Sequence, residues 1–136
     1  MAIVAYVDGL AEPVNPGVGT YGYAIYVGEK KLAEGGGLAG YDVTNNFAEY
    51  TALVEVLRKL KELKAEGEVL IRSDSQLLVG QMSGKWEVKG GGYLEKLKEA
   101  RDLLRDFGSV TFEWIPRERN TEADLLSRIA YERYKR

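Results

Sequence analysis

The chain has 136 residues, 45% of them hydrophobic and 29% charged, a formal net charge of -2, and neither cysteine nor histidine. That length fits one domain over 1–136 with a real core, and the missing residue types exclude disulfides, thiolate zinc sites, cysteine nucleophiles and Ser-His-Asp triads. Site chemistry is left to carboxylates, hydroxyls, Lys, Arg and Tyr, of which carboxylates suit hard cations such as magnesium or manganese. The near-neutral balance argues against a broadly basic coat, so any polyanion must meet a local patch. No apolar run reaches the roughly 18 residues of a membrane span, and no leader pattern opens the chain, so the expectation is a cytoplasmic protein without membrane contact. Abundant Glu and Lys with few Asn and Gln lean toward a thermophilic origin.

In chain order, Ile3 to Val7 reads as a strand running into Asp8-Gly9, with Asn15-Pro16-Gly17 at the following turn. Tyr21 to Val27 alternates as a second strand, Gly28-Glu29-Lys30 turns it back, and Lys31 to Gly37 completes a meander. Gly35-Gly36-Gly37 and Gly40 predict a loop, followed by a helix from about Asn46 to Ala65 that Gly67 stops. Val69 to Ser73 is a short buried strand ending at Asp74, and Ser75 to Met82 a short helix. Gly84 to Gly92 is a loop carrying Lys85, Trp86 and Lys89, and Tyr93 to Phe107 a helix closed by Gly108. Val110 to Ile115 is the last strand, Pro116 to Asn120 a connection, and Thr121 to Tyr134 a terminal helix with a basic end. The order predicts a three-layer α/β domain, in which ligands gather beyond the carboxyl ends of parallel strands.

Four acids stand out in that arrangement. Glu49 opens the apolar stripe of Leu53, Val56 and Leu60 on one helical face, where an unpaired carboxylate is costly to bury. Each acid also has a structural reading: Asp8-Gly9 as a turn, Glu49 as a first-turn charge, Asp74 as an N-cap, and Thr121 to Asp124 as a capping box. Together, two follow strands and two lie in first helical turns, so an α/β topology can bring all four to one cleft. At an effective dielectric near 20, two such charges about 5 Å apart repel by roughly 3 kcal/mol, and a cation is the simplest resolution.

The ordered set Asp8-Gly9, Asn15-Pro16-Gly17, Thr44-Asn45-Asn46 with Ala48-Glu49-Tyr50, Ser73-Asp74-Ser75-Gln76, and Pro116-Arg117 with Asn120 and Ala123-Asp124 closely resembles type 1 ribonuclease H, in particular its compact archaeal and bacterial members. The resemblance covers nearly the whole chain. It implies a ribonuclease H-like five-stranded mixed sheet, first three strands antiparallel, in a monomer that cleaves the RNA strand of an RNA/DNA hybrid to 5'-phosphate and 3'-hydroxyl ends. It further implies that Asp8, Glu49 and Asp74 hold one Mg2+ and Asp8 and Asp124 a second, with Mn2+ a possible substitute. Asn45, Asn46, Gln76 and the backbone at Gly9 match positions around the RNA strand, Thr44 one at a DNA phosphate, and Trp86 a DNA-sugar platform. Lys85, Lys89, Arg117, Arg119, Arg133, Lys135 and Arg136 are candidate phosphate contacts. Arg117 and Asn120 read equally as substrate contacts or as supports for the last helix. Two departures are visible: Arg117-Glu118-Arg119 stands where many relatives carry a histidine, and the basic protrusion of some bacterial members is missing. The alternative reading is a hybrid-binding module that keeps the fold with weak or no catalysis.

Overall fold

A computed structural model describes residues 2–136. Strand β1 (Ile3–Glu12) pairs antiparallel with β2 (Gly17–Val27), which pairs antiparallel with β3 (Lys30–Val43). Helix α1 (Asn45–Glu62) leads to β4 (Glu68–Ser73), parallel to β1. Helices α2 (Gln76–Met82) and α3 (Leu94–Leu104) lead to β5 (Ser109–Trp114), parallel to β4, and a 3-10 turn at Arg117–Arg119 precedes α4 (Thr121–Tyr134). The sheet order is β3-β2-β1-β4-β5, the mixed five-stranded sheet that the sequence predicts.

Strand alternation sorts the side chains into two layers. Ile3, Ala5, Val7, Ile25, Val69 and Ile71 share one core with Tyr50, Leu53, Leu57 and Leu60 of α1 and Leu97 and Ala100 of α3. Thr20, Gly22 and Ala24 point the other way, under α4, where the Thr20 hydroxyl donates to the Ser127 carbonyl at 2.8 Å. Gly22 and Gly36 lie opposite each other in the sheet. A Cβ at Gly22 would strike the Ala123 carbonyl and Ser127 nitrogen, and one at Gly36 would meet the Leu126 carbonyl at 3.0 Å, so α4 rests directly on bare backbone. Helix α1 starts at Thr44, whose hydroxyl accepts the Phe47 N–H at 3.1 Å.

The structure corrects several boundaries. Strand β1 does not stop at Asp8-Gly9 but runs to Glu12, because β2 pairs with it throughout, from Ile3↔Val27 to Glu12↔Val18. Gly35, Gly36, Gly37 and Gly40 are not a loop but lie inside β3. Tyr23 and Tyr21 sit opposite Gly35 and Gly37 and cover them with their rings, which gives the glycines the packing they lack. Helix α1 ends at Glu62, short of Ala65, because Lys64 takes a left-handed φ of 54° and the Ala65 N–H returns to the Leu60 carbonyl at 3.0 Å. Helix α3 ends at Leu104 rather than Phe107, its last residues tightening into three-residue turns such as Phe107 N–H to the Leu104 carbonyl at 3.1 Å. No helix among the described residues is long and apolar enough to cross a membrane.

The contact between α4 and the sheet is directly testable. Gly22→Ala is expected to lower stability by about 1–3 kcal/mol or more, read as a drop in Tm, because a methyl must lift α4. Gly108→Ala, where an added Cβ meets nothing within 4 Å, is expected to stay within about 0.5 kcal/mol.

Candidate active site

The site is created by a mismatch in strand length. The last pair between β1 and β4 is Val7↔Ser73, beyond which Asp8 to Glu12 pair with β2 alone. Asp74 leaves the end of β4 into the notch, Glu49 enters from the first turns of α1, and Asp124 arrives from α4 on the opposite layer. Gly9 makes the approach of α1 possible, since a Cβ there would collide with the backbone of Ala48 and Glu49. The resulting cleft, about 360 Å³, brings the four acids together with Gly9, Asn45, Asn46 and Arg117.

None of the four acids fills the local structural role its sequence suggests, although Asp124 pairs with Arg128 one turn on. Asp8 lies within a strand rather than a turn, its Oδ1 accepting the N–H of Gly9 at 3.0 Å. Asp74 is not the cap of α2, because Ser75 fills that role by accepting the Leu78 N–H at 3.2 Å. No capping box forms at Thr121, since α4 begins from Asn120 without a side-chain cap bond. Glu49 is 7% exposed and Asp8 6%, and Glu49 Oε1 is buried with no hydrogen-bond partner. An orphaned carboxylate oxygen costs several kcal/mol unless something positive meets it.

A divalent cation fits that requirement. One oxygen from each of Asp8, Glu49 and Asp74 lies within 4.8 Å of the others. Ligand oxygens on opposite sides of a magnesium ion stand about 4.2 Å apart, twice its usual bond length, so the triad has the right scale for a hard cation. Burial, then the Asp74 and Asp124 carboxylates, push the Asp8 carboxyl up to about 8. Burial, then Asp8 and Asp74, raise Glu49 well above the carboxylate range. Asp74 is raised too, chiefly by burial, although the Asn120 amide and Arg117 oppose the rise. Asp124 is not one of the triad but lies close enough to Asp8 to raise it, and both its oxygens are 3.2 Å from Arg128 Nε.

The other residues singled out by sequence fall into three places. Asn45 and Asn46 line the cleft with exposed Arg117, and Asn45 is clasped by Asn15, each asparagine bonding the other at 2.8 and 3.0 Å. Thr44 is the cap of α1, and Gln76 is exposed at the start of α2. Lys85, Trp86 and Lys89 border a second groove with Gln81 and Tyr93, not the cleft itself. There Trp86 is 48% exposed and its ring lies on Gly80, where a Cβ would strike it. Asn120 lies beneath the cleft, 1% exposed, with its amide donating to the Val7 carbonyl at 2.8 Å and reaching Asp74 at 3.5 Å. It therefore ties β1, at its last residue paired with β4, to Asp74. Sequence reasoning missed Arg128 and Glu12 as lining residues and Trp114, whose indole N–H donates to the Asp74 carbonyl at 3.1 Å. The four-residue spacing of Asp124 and Arg128 on one helix face was the available signal for the first.

Comparison with known proteins supplies independent findings. The family described as "Reverse transcriptase-like" matches residues 15–130. The chain is 38% identical over 132 residues to the bifunctional protein Rv2228c of Mycobacterium tuberculosis, covering 96% of this chain and only 35% of that protein. It is 31% identical to ribonuclease HI of Synechocystis sp., covering 96% of this chain and 88% of that enzyme. The solved structure of LC11-RNase H1 in complex with an RNA/DNA hybrid superposes with a TM-score of 0.89 at 33% identity, covering 96% of this chain and 97% of that one.

The shared proton affinity of the acids gives the cation-free protein a pH dependence. Folded Asp8 holds its proton far above the ordinary value of 3.8, so its contribution to stability is full below pH 3.8 and is lost as pH rises through about 8. Glu49 and Asp74 act in the same direction. Thermal melts in chelator are expected to show Tm falling from pH 4 to 8, with Asp8→Asn flattening that slope and melting higher than the native chain at pH 8. A chelator profile that rises with pH would contradict the mutual repulsion.

Proposed function

Because the chain belongs to the ribonuclease H family, we propose that it is a metal-dependent endoribonuclease that hydrolyses the RNA strand of RNA/DNA hybrids. The observation that carries this reading is the triad of Asp8, Glu49 and Asp74, with its unpartnered buried Glu49 oxygen, facing an open cleft. In this reading Asp8, Glu49 and Asp74 hold one cation and Asp8 and Asp124 a second, magnesium with manganese as a substitute. Two such ions supply activation of water and stabilisation of the departing oxygen in a phosphoryl displacement, leaving 5'-phosphate and 3'-hydroxyl ends.

The protein's own groups orient the duplex around that chemistry. Arg117 offers a fixed positive charge at the cleft rim for a backbone phosphate. RNA differs from DNA at the 2'-hydroxyl, and Asn45, Asn46 and Gln76 present polar side chains suited to reading it. Trp86, seated on Gly80 between Lys85 and Lys89, offers a flat face for a sugar and two charges for the DNA strand's phosphates. Thr44 serves the substrate through its place at the start of α1, and Asn120 by fixing Asp74 rather than by touching the duplex. With no histidine in the chain, no imidazole takes part in proton transfer.

The test is cleavage of an end-labelled RNA/DNA hybrid beside duplex DNA, duplex RNA and single-stranded RNA, with magnesium, manganese or chelator. Only the hybrid's RNA strand is expected to be cut, only with metal, and Asp8→Asn or Asp124→Asn is expected to lower the rate at least ~100-fold. Hybrid bound without cutting under either metal would make the chain a binding module instead. Trp86→Ala is expected to raise KM by about 10-fold while kcat changes little, the scale of one lost stacking contact.

A further inference from the structure

We propose that Arg128 is a positioning residue that holds Asp124 in reserve and hands it to a divalent cation by moving its own guanidinium onto Glu12. The inference rests on the cation site proposed above. Arg128 stands one turn after Asp124 on α4, its Nε 3.2 Å from both carboxylate oxygens, while its Nη1 lies 3.8 Å from Glu12 Oε1. All three residues line the same cleft. Glu12 is the last residue of β1, at the tip of the segment that extends past β4, so the two acids reach the arginine from different elements.

The arrangement answers two needs of the cleft. Without a partner, Asp124 would bring its own charge to a cleft where Asp8, Glu49 and Asp74 already hold oxygens within 4.8 Å of one another. Arg128 balances that charge while no cation is bound. A cation held by the Asp124 oxygens would compete with the Nε–H for their lone pairs and repel the guanidinium, and a guanidinium left without a partner would then face a newly positive site. Glu12 prevents this. A guanidinium carries N–H donors on two edges, so it can serve two carboxylates and shift its weight between them. The Glu12 contact, at 3.8 Å, is an ion pair still too long for a hydrogen bond and has room to tighten. The Arg128 side chain is 45% exposed, so its pair with Asp124 is weak enough to be exchanged.

The experiment is calorimetric titration of the metal-free native chain with Mg2+ and Mn2+, repeated for Arg128→Gln and Glu12→Gln and for each in an Asp124→Asn background. Arg128→Gln is expected to tighten cation binding by roughly two- to five-fold, the scale of an exposed ion pair, and Glu12→Gln to weaken it by a similar factor. Both effects are expected to vanish when Asp124 is Asn. Arg128→Lys, which keeps the charge but not the two-edged geometry, is expected to bind cation more tightly than the native chain and more weakly than Arg128→Gln. Unchanged or weaker binding by Arg128→Gln overturns the proposal, as does an effect that persists undiminished with Asp124→Asn, which would mark simple through-space charge. A native chain that binds no divalent cation overturns the metal site together with this inference. Normal binding and hybrid cleavage with no response to Arg128→Gln overturns the inference alone.

Discussion

Repulsion among buried carboxylates is the constraint on which this molecule turns. Asp8, Glu49 and Asp74 bring oxygens within 4.8 Å of one another, in a place where two of the three side chains are almost wholly shielded from water. Pairs of this kind repel by a few kcal/mol even at a generous dielectric. No fold drifts into such an arrangement for stability, because protons or cations must make up the missing charge. Burial first, and then the charges of their neighbours, raise the proton affinities of Asp8 and Glu49.

The scaffold is organised to hold the acids against that force. Helix α1 is anchored by Tyr50, Leu53, Leu57 and Leu60, all fully buried, so Glu49, just past its first turn, cannot retreat without pulling apolar surface from the core. Tyr50 is fixed in turn, its hydroxyl donating to Gln81 at 2.6 Å and its ring stacked on Tyr93 at 5.4 Å. On the other layer, α4 lies on the bare backbone of Gly22 and Gly36, which sets how closely Asp124 approaches. Asn120 joins the two parallel strands where their pairing stops, bonding the Val7 carbonyl and Asp74. A site of this kind depends on rigid neighbours more than on its own bonds.

Much of this was legible in the sequence because the signals were local. Period-two and period-3.6 patterns located all five strands and the main helices, and the four acids stood out because the pattern ended a strand or opened a helix beside each, although Asp8 lies within β1. Other features lay beyond that reach for stated reasons. Gly35, Gly36 and Gly37 look like a loop until Tyr21 and Tyr23 on the neighbouring strand are seen to cover two of them. Asp8-Gly9 looks like a turn because only the partner strand reveals that pairing continues to Glu12. The clasp between Asn15 and Asn45 joins residues thirty apart, and nothing in either local stretch announces it. Asn120 reads from sequence equally as a substrate contact or a support for the last helix, and only the fold places its amide in the interior.

The overhang of β1 has an evolutionary side. Successive peptide groups of a strand point to opposite edges, and from Asp8 to Glu12 only the β2 edge has a neighbouring strand, so alternate N–H and C=O groups along this segment turn toward the cleft that Gly9, Leu10, Ala11 and Glu12 line. Main-chain groups, unlike side chains, survive every substitution except one to proline, which removes the N–H. Only the half-buried Ala11 is thus free to change to other residues with a backbone N–H while that edge goes on offering the same donors and acceptors, whereas Leu10 is buried and Gly9 is pressed against α1.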